Sequence, residues 1–336
     1  MNKRTPIEEL DLTIDALLAG PHDAAPRAGT RQVTLVRVAA ELRDLPSEDF
    51  KARLKLELIK KSDVRCETTM SSPSVPSTRV NPVRTGFRTI TPYLQVKPVE
   101  EVINFVKQTF GGEELFRSQG GAGGVHTEIK VGDSMLMIGG GGTWEGPART
   151  ANMLINVSDA DEYYRRAMEA GATSIYEPTT QPWGDRDAGV KDAGGSNWYI
   201  NTRRVTGYAP ADQGDVLLGY NPKGAARFID FVITAFGAQV IFRHDSPDGT
   251  VRHARVRIGN SVVMVSEPGG EYPTKTPGVY MYVENADEVY ERAIRAGATS
   301  LYPIADMPYG DRMGGVTDPF GNEWYIATHF KDMPKK

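Results

Sequence analysis

The sequence predicts an α+β protein with two tandem domains of paired βαβββ units, preceded by a small α-helical segment. Two observations lead to this fold class: a long internal repeat, and hydrophobic patterns that alternate between strand and helix periods in each copy. The 336 residues suffice for two or three domains at roughly 100–200 residues each. The 35 glycines indicate many turns and argue against a helical bundle.

The internal repeat is visible in short matching motifs. Ala-Gly-Ala-Thr-Ser at 170–174, Gly-Asp-Arg at 184–186 and Trp-Tyr-Ile at 198–200 recur at 296–300, 310–312 and 324–326. The interval between copies has the size of a domain, which is too long for a solenoid unit. Two homologous domains are therefore predicted at 89–206 and 214–331.

Each copy contains two runs of one strand, one helix and three further strands. In the first copy, a helix at 99–110 ends at Gly111 and a second at 160–170 ends at Gly171. Glycine is the residue that most readily adopts the left-handed conformation closing a helix. The repeating unit is therefore βαβββ, and it is predicted to occur four times.

The first 61 residues carry amphipathic helical patterns, such as the apolar stripe of Ile7, Leu10 and Ile14. A helical hairpin that packs on itself or on the main body is one interpretation. A helix pair that docks a protein partner is the alternative. Residues 62–88 are rich in serine and proline and are predicted to form a mobile, partly extended linker.

Composition excludes several classes of protein. The formal net charge of −4 argues against nucleic-acid binding and against electrostatic attachment to anionic membranes. No apolar run approaches the roughly 20 residues that span a bilayer. A single cysteine rules out an intrachain disulfide and a thiolate metal cluster, and it fits a reducing compartment. We expect a cytoplasmic protein without nucleic-acid or membrane partners.

The second copy carries a distinctive C-terminal pattern: Pro-Tyr-Gly-Asp-Arg at 308–312, Gly-Val-Thr-Asp-Pro-Phe-Gly-Asn-Glu-Trp at 315–324 and Ala-Thr-His at 327–329. With Thr-Pro-Tyr-Leu at 91–94 and the segment 253–259, it resembles the PhnB-like branch of the vicinal oxygen chelate superfamily. That superfamily includes glyoxalases, bleomycin- and fosfomycin-resistance proteins and extradiol dioxygenases. The resemblance implies that paired units curl into open, mostly antiparallel barrels around a pocket. It also implies an intrachain pseudo-dimer of the two repeats, or a homodimer.

The resemblance further implies a divalent metal, held by His, Glu or Gln on the first and last strands of the units. The matching positions fall near Thr91, Asn152, Leu217 and Gly278 on first strands and near Met137, Tyr199, Met264 and Tyr325 on last strands. None has the expected residue type. No cofactor is therefore expected. A divalent metal is the alternative, with its candidate ligands among His126, Glu128, His253 and His329.

Strand alternation places His126 and Glu128 on one polar face, and His253 and Arg255 on the matching face of the second copy. His-x-Glu suits a metal or an acid/base pair, whereas a cross-strand polar network is the structural alternative. Arg255 favours an anionic ligand instead. His329 ends its strand, where a surface or capping role is expected.

The loops and last strands supply further candidates for ligand binding. Arg186 and Arg312 either clamp an anionic ligand or pair with a nearby aspartate. Trp183 and Tyr309 precede these loops and suit stacking on a planar ligand. Tyr199 and Tyr325 are expected to point into the pockets, while their neighbours Trp198 and Trp324 face the helices.

These observations favour a protein that binds a small organic molecule without a metal, for example to sequester an antibiotic or metabolite. One alternative is an enzyme of the superfamily, a lyase, isomerase or dioxygenase, with or without a metal. Another is a ligand-sensing regulatory protein whose N-terminal helices dock a partner. Because the second copy matches the motif better, its pocket is favoured if only one pocket functions.

Overall fold

The computed structural model describes residues 81–120, 123–204 and 214–332. The predicted N-terminal helices and the linker up to residue 80 lie outside these ranges. Within them, no helix is long and apolar enough to cross a membrane.

Four βαβββ units follow one another, as the sequence predicts. Units 1 and 2 comprise β1 (Ile90–Val96), α1 (Val99–Phe110), β2 (Glu113–Gln119), β3 (Val125–Val131), β4 (Ser134–Gly140), β5 (Asn152–Asn156), α2 (Ala160–Glu169), β6 (Thr173–Thr180), β7 (Arg186–Lys191) and β8 (Asn197–Thr202). Units 3 and 4 comprise β9 (Val216–Tyr220), α3 (Ala225–Phe236), β10 (Gln239–Asp245), β11 (Val251–Ile258), β12 (Ser261–Val265), β13 (Gly278–Tyr282), α4 (Ala286–Arg295), β14 (Thr299–Asp306), β15 (Asp311–Thr317) and β16 (Glu323–His329).

Local sequence explains where the helices begin and end. The Asp159 carboxylate accepts hydrogen bonds from the backbone N–H groups of Asp161 and Glu162, which caps the start of α2. Helix α1 ends at Gly111, whose φ of 67° lies in the left-handed region. Its N–H donates to the Lys107 carbonyl, so the helix stops within one residue.

The sheets join units from different copies of the repeat. Sheet I has the strand order β14-β15-β16-β13-β1-β4-β3-β2 and combines units 1 and 4. Sheet II has the order β10-β11-β12-β9-β5-β8-β7-β6 and combines units 2 and 3. Each junction is an antiparallel pair of first strands, β1 with β13 and β5 with β9. The two units of one copy therefore do not share a sheet.

Consecutive units meet through their helices instead. Phe105 and Phe110 of α1 contact the ring of Trp198 in unit 2, at centroid distances of 5.8 and 4.9 Å. Phe236 of α3 contacts Trp324 in unit 4 at 4.5 Å. The helix side of both sheets and the helices form one hydrophobic core. Burial of these large apolar rings stabilises the contact between consecutive units.

The tryptophans of the last strands face the helices, as predicted. Trp198 and Trp324 are both 0% exposed. Each indole Nε1 donates a hydrogen bond of 2.9 Å to a buried carboxylate, that of Asp192 or Asp318. The indole N–H of each tryptophan is therefore satisfied inside the core.

Candidate functional site

The side of each sheet away from the helices is the place where alternating strand residues converge. We call these sides inner face I and inner face II. Inner face I includes Thr91, Tyr93, Gln95, His126, Glu128, Met137, Gly278, Tyr280, Tyr282, Asp311, Glu323, Tyr325 and His329. Inner face II includes Asn152, Leu154, Asn156, Asp187, Asn197, Tyr199, Leu217, His253, Arg255, Arg257 and Met264.

The exchange of units regroups the predicted site residues. His126 and Glu128 share inner face I with Tyr325, which belongs to the other copy of the repeat. His253 and Arg255 share inner face II with Tyr199. A pocket belonging to the second copy alone therefore has no counterpart in the fold, because both copies contribute strands to each face.

The metal positions of inner face I do not fit a divalent ion. They hold Thr91, Met137, Gly278 and Tyr325. The Tyr325 hydroxyl donates to Glu323 at 2.7 Å, and that carboxylate also contacts the Arg149 guanidinium. The carboxylate beside Tyr325 is therefore already paired with a cation of the protein, and the four positions themselves hold no imidazole or carboxylate ligand.

The metal positions of inner face II do not fit either. Asn152 donates its amide hydrogens to Asn221 and to the Pro273 carbonyl, and its oxygen accepts from Asn197. Its hydrogen-bonding capacity is therefore used within the protein. The other positions hold Tyr199, Leu217 and Met264. In the described ranges, no group of three or more His, Cys, Asp or Glu side chains is arranged for a metal.

His126 and Glu128 form part of a polar network on inner face I. Glu128 is 4% exposed, and the Arg84 guanidinium lies 2.5 Å from its carboxylate. The His126 Nδ1 atom lies 3.2 Å from the Tyr93 hydroxyl. Burial raises the pKa of Glu128, but hydrogen bonds from His126 and Arg84 outweigh it, and the net pKa is lowered. Glu128 is thus an ionised partner of Arg84 at neutral pH, and this buried carboxylate is covered by two partly exposed side chains, Arg84 and His126.

Residues 82–87, which the sequence assigns to the linker, pack against inner face I. Phe87 is 9% exposed and meets Tyr282 edge-on at a centroid distance of 5.6 Å. The Pro82 carbonyl accepts a hydrogen bond of 3.0 Å from the His329 backbone N–H. The end of the linker is therefore an ordered part of the fold.

His329 is buried, contrary to the expectation of a surface or capping residue. It is 5% exposed, and its Nδ1 atom lies 2.7 Å from the Asp311 carboxylate. The other oxygen of Asp311 accepts hydrogen bonds from Tyr280 and Tyr282 at 2.6 and 3.1 Å. Asp311 is buried too, so the strand end carries an internal polar cluster that alternation alone did not reveal.

Arg186 and Arg312 pair with aspartates, which is the structural alternative stated above. Arg312 makes two hydrogen bonds of 2.6 Å to Asp287 in the first turn of α4. Arg186 contacts Asp161 in the first turn of α2 in the same bidentate manner. These arginines join the start of a strand to the start of a helix and take no part in either inner face.

Inner face II carries a wall of tyrosines, two of which sequence reasoning missed. Tyr199 and Tyr272 have a centroid distance of 4.6 Å, and Tyr176 stacks on Tyr199 at 6.4 Å. Gly189 permits this arrangement, because a Cβ there would lie 2.6 Å from the Tyr176 ring. Burial raises the pKa of all three phenols above 10, so they stay neutral at physiological pH. The only sequence signal for Tyr176 was its position on a predicted strand.

The centre of inner face II is more open than that of inner face I. Leu154 and Met264 are partly exposed, whereas Tyr280 and Met137 at the matching positions are 6% and 2% exposed. Exposure of apolar atoms at the centre of a sheet marks a surface that another molecule can cover.

A cavity of about 390 Å³ lies at one end of sheet II. In the described part of the chain it is lined by Asp133, Asn156, Val157, Ser158, Arg203, Gly214 and Asp215. Asn156 matches Tyr282, the residue that Phe87 covers on sheet I.

The remaining wall of inner face II is basic. Arg255 is 4% exposed, and His253 and Arg257 flank it along the same face of β11. Burial, with the nearby charges of Arg255 and His244, lowers the pKa of His253 to about 4. His253 is therefore neutral at pH 7 and a poor source of positive charge.

The amino-acid sequence matches one family model twice. Residues 86–200 and 217–326 match the Glyoxalase/Bleomycin resistance protein/Dioxygenase superfamily. Uncharacterised proteins of Mycobacterium bovis and Mycobacterium tuberculosis are 35% identical over 120 residues, which is 32% of this chain and 79% or 71% of theirs. Glyoxalase I from Zea mays superposes with a TM-score of 0.55 at 16% identity, covering 71% of this chain and 92% of that one.

Proposed function

Because the chain belongs to the Glyoxalase/Bleomycin resistance protein/Dioxygenase superfamily, with two copies of its domain, we propose that it binds a small organic molecule on inner face II without a metal ion. One observation carries the proposal. Both inner faces lack a metal-ligand set, yet face II keeps a partly exposed apolar and aromatic surface where face I is covered. A PhnB-like protein that binds its ligand without a metal ion would present a surface of this kind.

The residues of inner face II suit a planar, largely apolar ligand. Leu154 and Met264 offer the apolar floor, and Tyr199 and Tyr272 offer ring faces beside it. Aromatic walls with a few convergent polar groups are the usual lining of sites for small molecules. Tyr272 is 37% exposed and is available to stack on a ligand.

The basic strand β11 favours an acidic group on that ligand. Arg255 and Arg257 lie on inner face II, and each already interacts with a neighbouring group of the protein. A ligand carboxylate would therefore bind to guanidinium groups that already interact with neighbouring protein groups. Guanidinium groups bind carboxylates with short, charge-assisted hydrogen bonds. We therefore expect aromatic carboxylates to bind more tightly than the corresponding amides.

The first experiment measures metal content by plasma mass spectrometry. The protein is purified without chelator, then loaded with Zn, Ni, Mn and Fe(II). No stoichiometric metal is expected. Near-stoichiometric metal that disappears in His126→Ala or His253→Ala would contradict the proposal and favour a metal-dependent enzyme.

The second experiment screens matched aromatic carboxylates and amides by thermal shift. The expected result is stabilisation by carboxylates that Leu154→Trp abolishes, because the larger side chain fills inner face II. Tyr309→Ala is the matched control. Tyr309 is 48% exposed on the loop of sheet I that corresponds to the loop of Trp183, which is 52% exposed. Stabilisation that survives Leu154→Trp but is lost in Tyr309→Ala would place the ligand elsewhere.

A further inference from the structure

Inner face I is occupied by a segment of the same chain. We call residues 82–87 the latch segment. Its apolar side chains join a second hydrophobic cluster, separate from the main core, on inner face I. That cluster comprises Phe87, Met135, Met137, Tyr280, Tyr282, Met313, Tyr325 and Ala327, with Val83, Tyr93, Tyr302 and Met307 packed against it.

The latch segment supplies a positive charge where the face is acidic. Glu128 is 4% exposed, and Arg84 lies 2.5 Å from it. Asp311, 3% exposed, lies further along the same face. A buried carboxylate without a cationic partner is strongly unfavourable. An occupant that presents a cation to Glu128 is therefore favoured here, in addition to the interaction that His126 makes with the same carboxylate.

The same segment presents an aromatic ring next to that cation. The guanidinium carbon of Arg84 lies 4.9 Å from the centroid of the Phe87 ring, and Phe87 packs edge-on against Tyr282. The turn between them is closed by a hydrogen bond of 3.0 Å from the Phe87 N–H to the Arg84 carbonyl. Gly86, with φ of 88°, adopts the left-handed conformation that this turn requires.

The Arg84 guanidinium and the Phe87 ring, joined by this turn, thus form a compact unit about the size of a substituted aryl amidine. The acidic carboxylate lies beneath the cation and the tyrosine edge lies beside the ring. Cation–π and ring contacts of this kind are common in the recognition of organic cations. Inner face II cannot offer the same site, because Arg255 stands at the position of Glu128.

We propose that inner face I is a recognition site for aromatic cations, and that Arg84 and Phe87 are its built-in occupants. A free aromatic cation then binds inner face I only by displacing the latch segment. This site is distinct from the anion-favouring site on inner face II, and either proposal can fail without the other. A ligand can therefore reach inner face I only after the latch segment has left it.

Chemical rescue of a vacated site tests the proposal. The full-length variant Arg84→Ala/Phe87→Ala is compared with the parent protein by thermal unfolding, with benzamidine as the probe. At about 10 mM benzamidine and a Kd near 1 mM, the Tm of the variant is expected to rise by about 3 °C. The parent protein should shift by less than about 1 °C, since its site is filled. Benzamide, which has the same shape but no charge, should have no effect on either.

The matched control removes the carboxylate. In Arg84→Ala/Phe87→Ala/Glu128→Gln, benzamidine should no longer stabilise the protein. An equal rise in this triple variant, an equal rise in the parent protein, or no rise in the double variant would each overturn the proposal. If the double variant does not fold, Arg84→Gln replaces it with methylguanidine as the probe, judged by the same comparison with Glu128→Gln.

Discussion

Glu128 and Arg255 occupy matching positions on β3 and β11, each opposite a methionine of the next strand, and each is 4% exposed. The fold therefore buries opposite charges at the same place on its two inner faces. Opposite charges at equivalent sites cannot both suit one ligand, because a group that pairs with one is repelled by the other. The two inner faces therefore differ in the sign of the charge buried at this position, which is the basis of the two binding proposals.

The Arg84–Glu128 pair should contribute measurably to stability. Arg84→Ala leaves Glu128 buried without its cation, and we expect unfolding free energy to fall by about 2 kcal/mol. Adding Glu128→Gln should recover part of this loss, because the uncompensated charge is then gone. Arg88→Ala is the control, since Arg88 pairs with the half-exposed Asp133. That change should stay within about 1 kcal/mol in urea unfolding.

Stability should depend on pH through His253. Its folded pKa of about 4 lies below the ordinary value of about 6.5, so the unfolded chain binds more protons between these values. Stability is therefore full above pH 6.5 and falls as pH decreases toward 4, by about 3 kcal/mol. His253→Asn should flatten that part of the profile. If His244→Asn flattens it equally, His253 is not the group responsible.

The buried aspartates beneath the tryptophans should be essential to the core. Asp318 accepts hydrogen bonds from the Trp324 indole at 2.9 Å and from the backbone N–H groups of Phe320 and Asn322. Asp318→Ala leaves several buried donors unsatisfied and should destabilise the protein by about 3 kcal/mol. Asp192→Ala should behave alike. Thermal unfolding checks both, and a change in Tm of about 1 °C or less would contradict the assignment.

Arg186 and Arg312 should be dispensable for ligand binding. Arg186 and Arg312 pair with aspartates at helix starts, away from both inner faces. Arg186→Ala should leave the thermal shift produced by aromatic carboxylates unchanged. Arg255→Gln should decrease that shift, because the affinity for the carboxylate falls at least about tenfold. Loss of binding in Arg186→Ala with unchanged Tm would show that this arginine clamps the ligand after all.

Much of the fold could be predicted from the sequence because its secondary structure depends on local sequence patterns. The repeat, the four βαβββ units and the orientation of Trp198 and Trp324 toward the helices follow from periodicity and glycine stops. The mismatch with a metal site also follows from residue identity alone. Asn152 and Tyr199 are poor substitutes for the expected His, Glu or Gln ligands, and the structure adds that their polar groups are already engaged.

The burial of His329 and of residues 82–87 could not be predicted in the same way. His329 ends a strand, and its partner Asp311 begins a different one, so their pairing depends on the antiparallel register. Arg84 and Glu128 are far apart in sequence and meet only when the linker folds back on inner face I. The sequence around a single side chain does not indicate which residue far away in the chain it will contact.

The sequence by itself determined which secondary elements form, how often they recur and which strand face is apolar, since these depend on interactions within a few residues. Only the tertiary structure decided which unit pairs with which. The junctions of β1 with β13 and of β5 with β9 are made by backbone hydrogen bonds, and nearly all residue types offer the same backbone groups, so the side chains do not specify the partner strand. That choice places Glu128 and Arg255 on separate faces, and the separation gives the two faces their different chemistry.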